Sequence, residues 1–76
     1  MNKLYEGLAE IFEVEPEEVD RDLRLEDVAW DSMAIVSTIA LIDEVYDEAV
    51  DADALGNCQT VGDIEDLAER ARSGEA

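Results

Sequence analysis

The 76-residue sequence contains no histidine, a single cysteine and only five basic residues. Without histidine there is no Ser-His or Cys-His pair, so conventional nucleophilic catalysis is nearly excluded and we expect no enzyme. The lone Cys58 cannot form an internal disulfide, which is typical of a cytoplasmic protein. No apolar run approaches the roughly 20 residues that span a bilayer, so we expect no membrane insertion.

Acidic residues dominate the charge. The chain has 22 Asp and Glu against five Lys and Arg, a formal net charge of −17. Such a surface repels the phosphates of nucleic acids and of anionic membranes, so neither is an expected partner. It favours partner proteins with basic patches.

The spacing of apolar residues predicts an all-α fold, a small bundle of three main helices plus one short helix with a long first loop. Residues 1–76 make a single domain that buries roughly 60% of its unfolded surface, and residues 73–76 are expected to fray. The predicted elements are a helix over 2–13, a turn at Pro16, the loop over 20–30, a helix from Asp31 or Ser32, a short helix over Asp53–Leu55, and a last helix opened by a capping box at Thr60-Val61-Gly62-Asp63.

The second predicted helix is expected to be the most buried. Three apolar residues, Leu23, Leu25 and Val28, are expected to pin the preceding loop to the same core. The apolar face of the helix consists of a central stripe, Ile35, Ile39, Ile42 and Tyr46, and of three residues that widen it, Val36, Leu41 and Val45.

Two other features carry little functional signal. The run from Asp51 to Gly56 has acids at positions 1 and 3 and glycine at position 6 of an EF-hand-like loop, but position 5 is Leu55 and position 12 is Gly62. Two calcium ligands are therefore missing, and no metal site is expected. Cys58 lacks basic neighbours that would activate its thiol, so we interpret it as a small apolar residue of the core.

Ser32 is the strongest candidate for a functional residue. It directly follows Asp31, the expected N-cap, at the start of the long apolar helix. Backbone N–H groups are unpaired there and the helix dipole is positive, so a phosphate ester on Ser32 would be favoured. The plainer interpretation is a serine that only starts a helix. Because the chain has no histidine, we expect Ser32 to be a tether and not a catalytic nucleophile.

The segment Asp31-Ser32-Met33 resembles the Asp-Ser-Leu attachment motif of acyl carrier proteins, in which the serine carries 4′-phosphopantetheine. The resemblance extends to the acidic balance, the helix before Pro16, the loop ending in Leu25-Glu26-Asp27-Val28, the long second helix, and Thr60-Val61-Gly62-Asp63-Ile64. It implies a covalent arm on Ser32, with Asp31 and Met33 as its motif neighbours. Such a carrier catalyses nothing itself, and holds acyl groups as thioesters for enzymes of fatty-acid, specialised lipid or polyketide synthesis.

The resemblance also implies partners. These are a phosphopantetheinyl transferase, an acyl-loading ligase or acyltransferase, and ketosynthases or acyl-transfer enzymes with basic patches. We expect a monomer in the cytoplasm. Some carriers shelter the acyl chain between their helices, and by analogy the lining here consists of Val36, Ile39, Ile42, Val61 and Ile64.

The residues around the serine depart from the usual pattern of the family. Trp30 stands where carriers usually have glycine close before the aspartate, and Met33 replaces leucine at nearly equal volume. Ala34 and Ser37 stand where carriers of dissociated fatty-acid synthases tend to have acids, which indicates a specialised carrier. The expected docking surface consists of Trp30, Met33, Ala34, Ser37, Asp43 and Glu44.

Two alternatives stay open. An aminoacyl, peptidyl or polyketide carrier would use the same arm for a different cargo. A purely acidic interaction protein would need no serine at a helix start and would tolerate Ser32→Ala.

Overall fold

Apolar residues at helical spacing produce four α-helices in the computed structural model, which describes residues 3–72. The all-α prediction is confirmed, and no helix in residues 3–72 has both the length and the apolar character needed to traverse a bilayer. The predicted frayed tail, 73–76, lies outside the described residues. The helices are α1, Lys3–Phe12; α2, Ser32–Tyr46; α3, Ala52–Gly56; and α4, Val61–Arg72; two 3₁₀ turns, Pro16–Glu18 and Leu25–Asp27, lie between α1 and α2.

The core is mostly aliphatic, with Phe12 as a buried aromatic member, and it contains one face of each long helix. Leu4 and Leu8 of α1 and Val61 and Ile64 of α4 are fully buried in the same cluster as Ile42 of α2. Burying a side chain of this size contributes about 1.5–3 kcal/mol relative to exposure, so these helices are held mainly by tertiary packing.

Burial along α2 differs from the prediction, because the stripe turned to the core is Ala34, Thr38 and Ile42. Among the described residues α2 has fewer buried residues than α1 or α4, and Val36, predicted to widen its apolar face, is 63% exposed. The sequence pattern misses this stripe because isoleucine is more hydrophobic than alanine or threonine. Thr38 can be buried because its hydroxyl donates a hydrogen bond to the Ala34 carbonyl at 2.8 Å. The half-buried members of the predicted face are Ile35, Ile39, Leu41, Val45 and Tyr46.

The loop over residues 20–30 is more ordered than the sequence predicts. Three backbone hydrogen bonds of 2.9–3.1 Å join residues 21–25 to residues 59–62. Arg24 and Thr60 form an isolated antiparallel bridge at the centre of this junction. Leu25 is buried as predicted. The loop is therefore fixed to the start of α4 and to the residues just before it, by backbone pairing as well as by apolar side chains.

The predicted capping box at the start of α4 is confirmed. The Asp63 N–H donates to Thr60 Oγ1 at 3.2 Å, and the Thr60 N–H donates to Asp63 Oδ2 at 3.3 Å. This reciprocal pair satisfies two backbone donors and sets where α4 begins.

One arginine connects the loop to α4. The Arg21 guanidinium lies 2.6 Å from a Glu65 carboxylate oxygen and 3.2 Å from Asp66. The Tyr5 hydroxyl of α1 donates to the same Glu65 oxygen at 2.9 Å. This network, together with the backbone junction, holds the loop that leads into Ser32.

Candidate functional site

Ser32 is the first residue of α2, and its side chain is exposed. Asp31 has extended backbone geometry, and its carboxylate accepts a hydrogen bond from the Ala34 N–H at 2.9 Å. The Asp31 carbonyl accepts from the Ile35 N–H, also at 2.9 Å. The predicted N-cap is therefore confirmed, and it holds Ser32 in the first turn with its hydroxyl toward solvent.

The first turn of α2 offers donors beside this hydroxyl. Within residues 3–72, the N–H groups of Ser32 and Met33 have no hydrogen-bond partner, whereas those of Ala34 and Ile35 are satisfied by Asp31. Free N–H groups and the positive end of the helix dipole favour an anionic group at this position. The site thus fits a phosphate ester on Ser32.

Two apolar side chains next to Ser32 face solvent. Met33 is 76% exposed and Val36 is 63% exposed, and both lie on the first turns of α2. Three further members of the predicted docking surface, Ser37, Asp43 and Glu44, are exposed on the same helix.

Ala34 does not belong to this exposed surface. It is only 6% exposed and lies in the buried stripe of α2, so its prediction as a docking residue is corrected. Val36 requires a correction of the opposite kind, since its exposure is inconsistent with an acyl lining between helices. The other predicted lining residues are buried or half-buried: Ile39, Ile42, Val61 and Ile64.

Trp30 is half-buried and packs edge-on against Phe12, with ring centroids 6.0 Å apart and an interplanar angle of 75°. Its backbone N–H donates to the Val28 carbonyl at 2.9 Å. Its indole Nε1 is buried and has no hydrogen-bond partner among the residues that the structure describes. The aromatic contact is not predictable from the sequence, because Phe12 and Trp30 are separated by the whole loop.

An open groove of about 480 Å³ lies beside Trp30. The sequence does not indicate it, because one wall comes from the loop and the other from the segment before α4. Its lining residues are Arg24, Leu25, Glu26, Val28, Trp30, Cys58 and Gln59.

Cys58 is half-buried, and its thiol lies 3.5 Å from the Ala54 carbonyl, to which it donates. Burial, assisted by the Asp63 carboxylate, raises the pKa of the Cys58 thiol to about 11. The thiol is therefore protonated at neutral pH and is a poor nucleophile, which agrees with its interpretation as a core residue.

The acidic run from Asp51 to Gly56 contains α3 and the residue that caps it. The Asp51 carboxylate accepts from the Asp53 N–H at 3.5 Å and caps α3. In the described part of the chain, no three His, Cys, Asp or Glu side chains are grouped so that they could hold a metal ion.

A family model described as the phosphopantetheine attachment site matches residues 2–68, a range that includes Asp31, Ser32 and Met33. No curated protein and no solved structure matches the sequence. Domains of this family carry 4′-phosphopantetheine attached covalently, are generally non-catalytic, and interact with modifying and acyl-transfer enzymes. The resemblance seen in the sequence is thereby confirmed, and the chain belongs to the phosphopantetheine attachment site family of carrier proteins.

Proposed function

We propose that the chain is a single-domain acyl carrier protein that bears 4′-phosphopantetheine on Ser32 and serves enzymes of fatty-acid, specialised lipid or polyketide synthesis. The observation that carries the proposal is the exposed Ser32 hydroxyl at the first position of α2, directly after the capping Asp31 and inside the matched range. When attached, the group supplies a flexible arm whose thiol holds the cargo as a thioester. The chain itself needs no catalytic residue for this role.

The residues of the chain have a positioning task in this function. Asp31 fixes the first turn, so that the Ser32 hydroxyl stays accessible to a modifying enzyme. The unpaired N–H groups of Ser32 and Met33 favour the negative charge that modification places there, by about 0.3–1 kcal/mol for a surface helix end.

An acyl cargo is favoured over an aminoacyl or peptidyl cargo by the aspartate directly before the serine. The single cysteine, half-buried and without a second cysteine to pair with, supports a place of action in the cytoplasm. The alternative carrier, with an aminoacyl or peptidyl cargo, would bear the same arm on Ser32.

Docking to partner enzymes is proposed to use the exposed face of α2. Met33 and Val36 supply an apolar patch next to Ser32, while Asp43 and Glu44 supply negative charge two to three turns further along. At 1.5 Å rise per residue, Val36 and Asp43 are about 10 Å apart along the helix, more than the Debye length of about 8 Å at physiological salt. The contact at Met33 and Val36 is therefore expected to be apolar. Basic residues of the partner are expected to contact only Asp43 and Glu44, towards the C-terminal end of α2.

The attachment is tested by intact mass. The chain is treated with coenzyme A and a broad-specificity phosphopantetheinyl transferase, and we expect a gain of one phosphopantetheine. Ser32→Ala should abolish the gain, whereas Ser73→Ala, which alters a serine far from Ser32 in the sequence, should preserve it. An unmodified wild-type chain beside an active control carrier would refute the proposal.

The docking face is tested by the kinetics of the same transfer. Met33→Ala combined with Val36→Ala should raise KM about tenfold, since two apolar contacts of this size exceed 1.4 kcal/mol when fully buried. The increase should persist between about 50 and 500 mM NaCl, because an apolar contact is not screened. A second double variant, Asp43→Asn with Glu44→Gln, removes two negative charges and should raise KM at low salt only. The reverse pattern would show that docking is electrostatic throughout.

A further inference from the structure

We propose that the groove beside Trp30 binds the phosphopantetheine arm, and that Trp30 is a positioning residue whose indole N–H donates a hydrogen bond to an amide carbonyl of that arm. This inference rests on the proposed attachment at Ser32.

The first support is the unpaired indole. Trp30 Nε1 is a buried donor without a partner in residues 3–72, and an unmade hydrogen bond of this kind is unfavourable. The contact with Phe12 holds one edge of the ring, and Trp30 also lines the groove. A rotation of the indole toward the groove would let this donor reach an acceptor there.

The second support is the form of the groove. Its volume of about 480 Å³ falls in the range of small-molecule sites. Leu25, Val28 and Cys58 contribute apolar surface. The Leu25 N–H donates a hydrogen bond of 2.9 Å to the Gln59 carbonyl, and this bond fixes the two walls of the groove relative to each other. The groove is thus largely formed before any ligand arrives.

The third support is the charge of the rim. Arg24 Nε lies 2.9 Å from a Glu26 carboxylate oxygen, so the cation and the anion of the rim are paired with each other. A groove with apolar walls, an Arg24–Glu26 pair at its rim and an unpaired indole donor suits an uncharged amide segment with methyl groups, which is the chemistry of the pantetheine part of the arm. An ionic ligand would have to compete with the Arg24–Glu26 pair for its charged partner.

The fourth support is the tether. Trp30 precedes Ser32 by two residues, so their Cα atoms are at most about 7 Å apart. A ligand attached at Ser32 meets the groove at an effective concentration in the millimolar range or above, so a weak interaction is enough to hold it.

Nuclear magnetic resonance of the ¹⁵N-labelled protein tests the inference, because the sequence contains one tryptophan and therefore gives one indole N–H signal. We expect this signal to shift when the wild-type chain is converted to the modified form, and nuclear Overhauser effects to join the indole to the methyl groups of the arm. Ser32→Ala, treated with the same transferase and coenzyme A, should leave the signal unchanged.

Trp30→Phe is the matched variant, since it keeps an aromatic ring against Phe12 but removes the donor. In its modified form the ratio of bound to free arm, measured from the shifts of the backbone amide signals of the groove residues, should fall about fivefold, the change that one ordinary neutral hydrogen bond gives. A modified wild-type chain with an unmoved indole signal and no contact to the arm would overturn this inference and leave the attachment intact. A wild-type chain that gains no mass would overturn both the arm-binding inference and the attachment at Ser32. The comparison of the unmodified with the modified wild-type chain tests the inference even if Trp30→Phe does not fold.

Discussion

The Asp31 carboxylate and the Ala34 N–H are joined by a hydrogen bond of 2.9 Å across the first turn of α2, and Ser32 lies between them. The aspartate of the attachment motif therefore has a structural task, independent of any contact with a partner enzyme. It satisfies a backbone donor and orders the turn that exposes the serine.

Replacing Asp31 by alanine should lower the free energy of unfolding by about 1 kcal/mol, the usual contribution of a side-chain cap. For a domain of this size the thermal midpoint should fall by about 4–8 °C. Asp31→Asn keeps an oxygen acceptor, so its free energy of unfolding should fall much less. Thermal unfolding followed by circular dichroism measures both, and an unchanged midpoint for Asp31→Ala would contradict the cap.

Gly7 of α1 lies directly against Leu41 of α2, so that an added Cβ would be 2.8 Å from Leu41 Cδ2 and closer still to Cδ1. Gly7→Ala gains about 1 kcal/mol of helix propensity but has to displace the leucine side chain. We expect the substitution to stabilise a Leu41→Ala background and to fail to do so in wild type. Urea unfolding of the four chains gives the coupling energy, which should be about 1 kcal/mol or more. Equal effects in both backgrounds would show that the two helices are not in close contact there.

Arg21 and Arg24 provide a matched pair of loop arginines. Arg21 joins the loop to Glu65 and Asp66 of α4, whereas Arg24 pairs with Glu26 only two residues away. Arg21→Gln should therefore lower the urea midpoint more than Arg24→Gln, although both remove one positive charge from a chain with a net charge of −17. The difference should shrink in high salt, because the Arg21 pairs are exposed to screening. An equal decrease of the urea midpoint in the two variants would show that the loss of stability comes from the change in net charge alone.

Much of the fold follows from local signals in the sequence. The caps at Asp31 and at Thr60 with Asp63 set where α2 and α4 begin, and both depend on residues within four positions of each other. The motif around Ser32 is equally local, which is why the attachment residue is apparent from the sequence alone.

Features that depend on contacts between distant segments are not predictable in this way. The bridge between Arg24 and Thr60 requires the loop and the segment before α4 to meet, and neither has a strand pattern. The burial of Ala34 instead of Val36 depends on which face of α2 its neighbours cover. The sequence of α2 does not reveal that choice, because its apolar side chains occupy more than one face of the helix.

The stability of the chain should fall at alkaline pH because of Cys58 and Tyr5. Burial raises the pKa of the Cys58 thiol to about 11, and burial with the Glu65 hydrogen bond raises the pKa of Tyr5 to about 12. Their ordinary values are 9.0 and 10.0, so above about pH 9 the unfolded chain binds fewer protons than the folded one. The free energy of unfolding is therefore expected to fall from pH 9 upward, and the contribution of both groups is complete below that pH. Urea midpoints across this range should decline less steeply in Cys58→Ser between pH 9 and 11, and in Tyr5→Phe between pH 10 and 12. Parallel declines in all three chains would mean that neither group changes its pKa on folding.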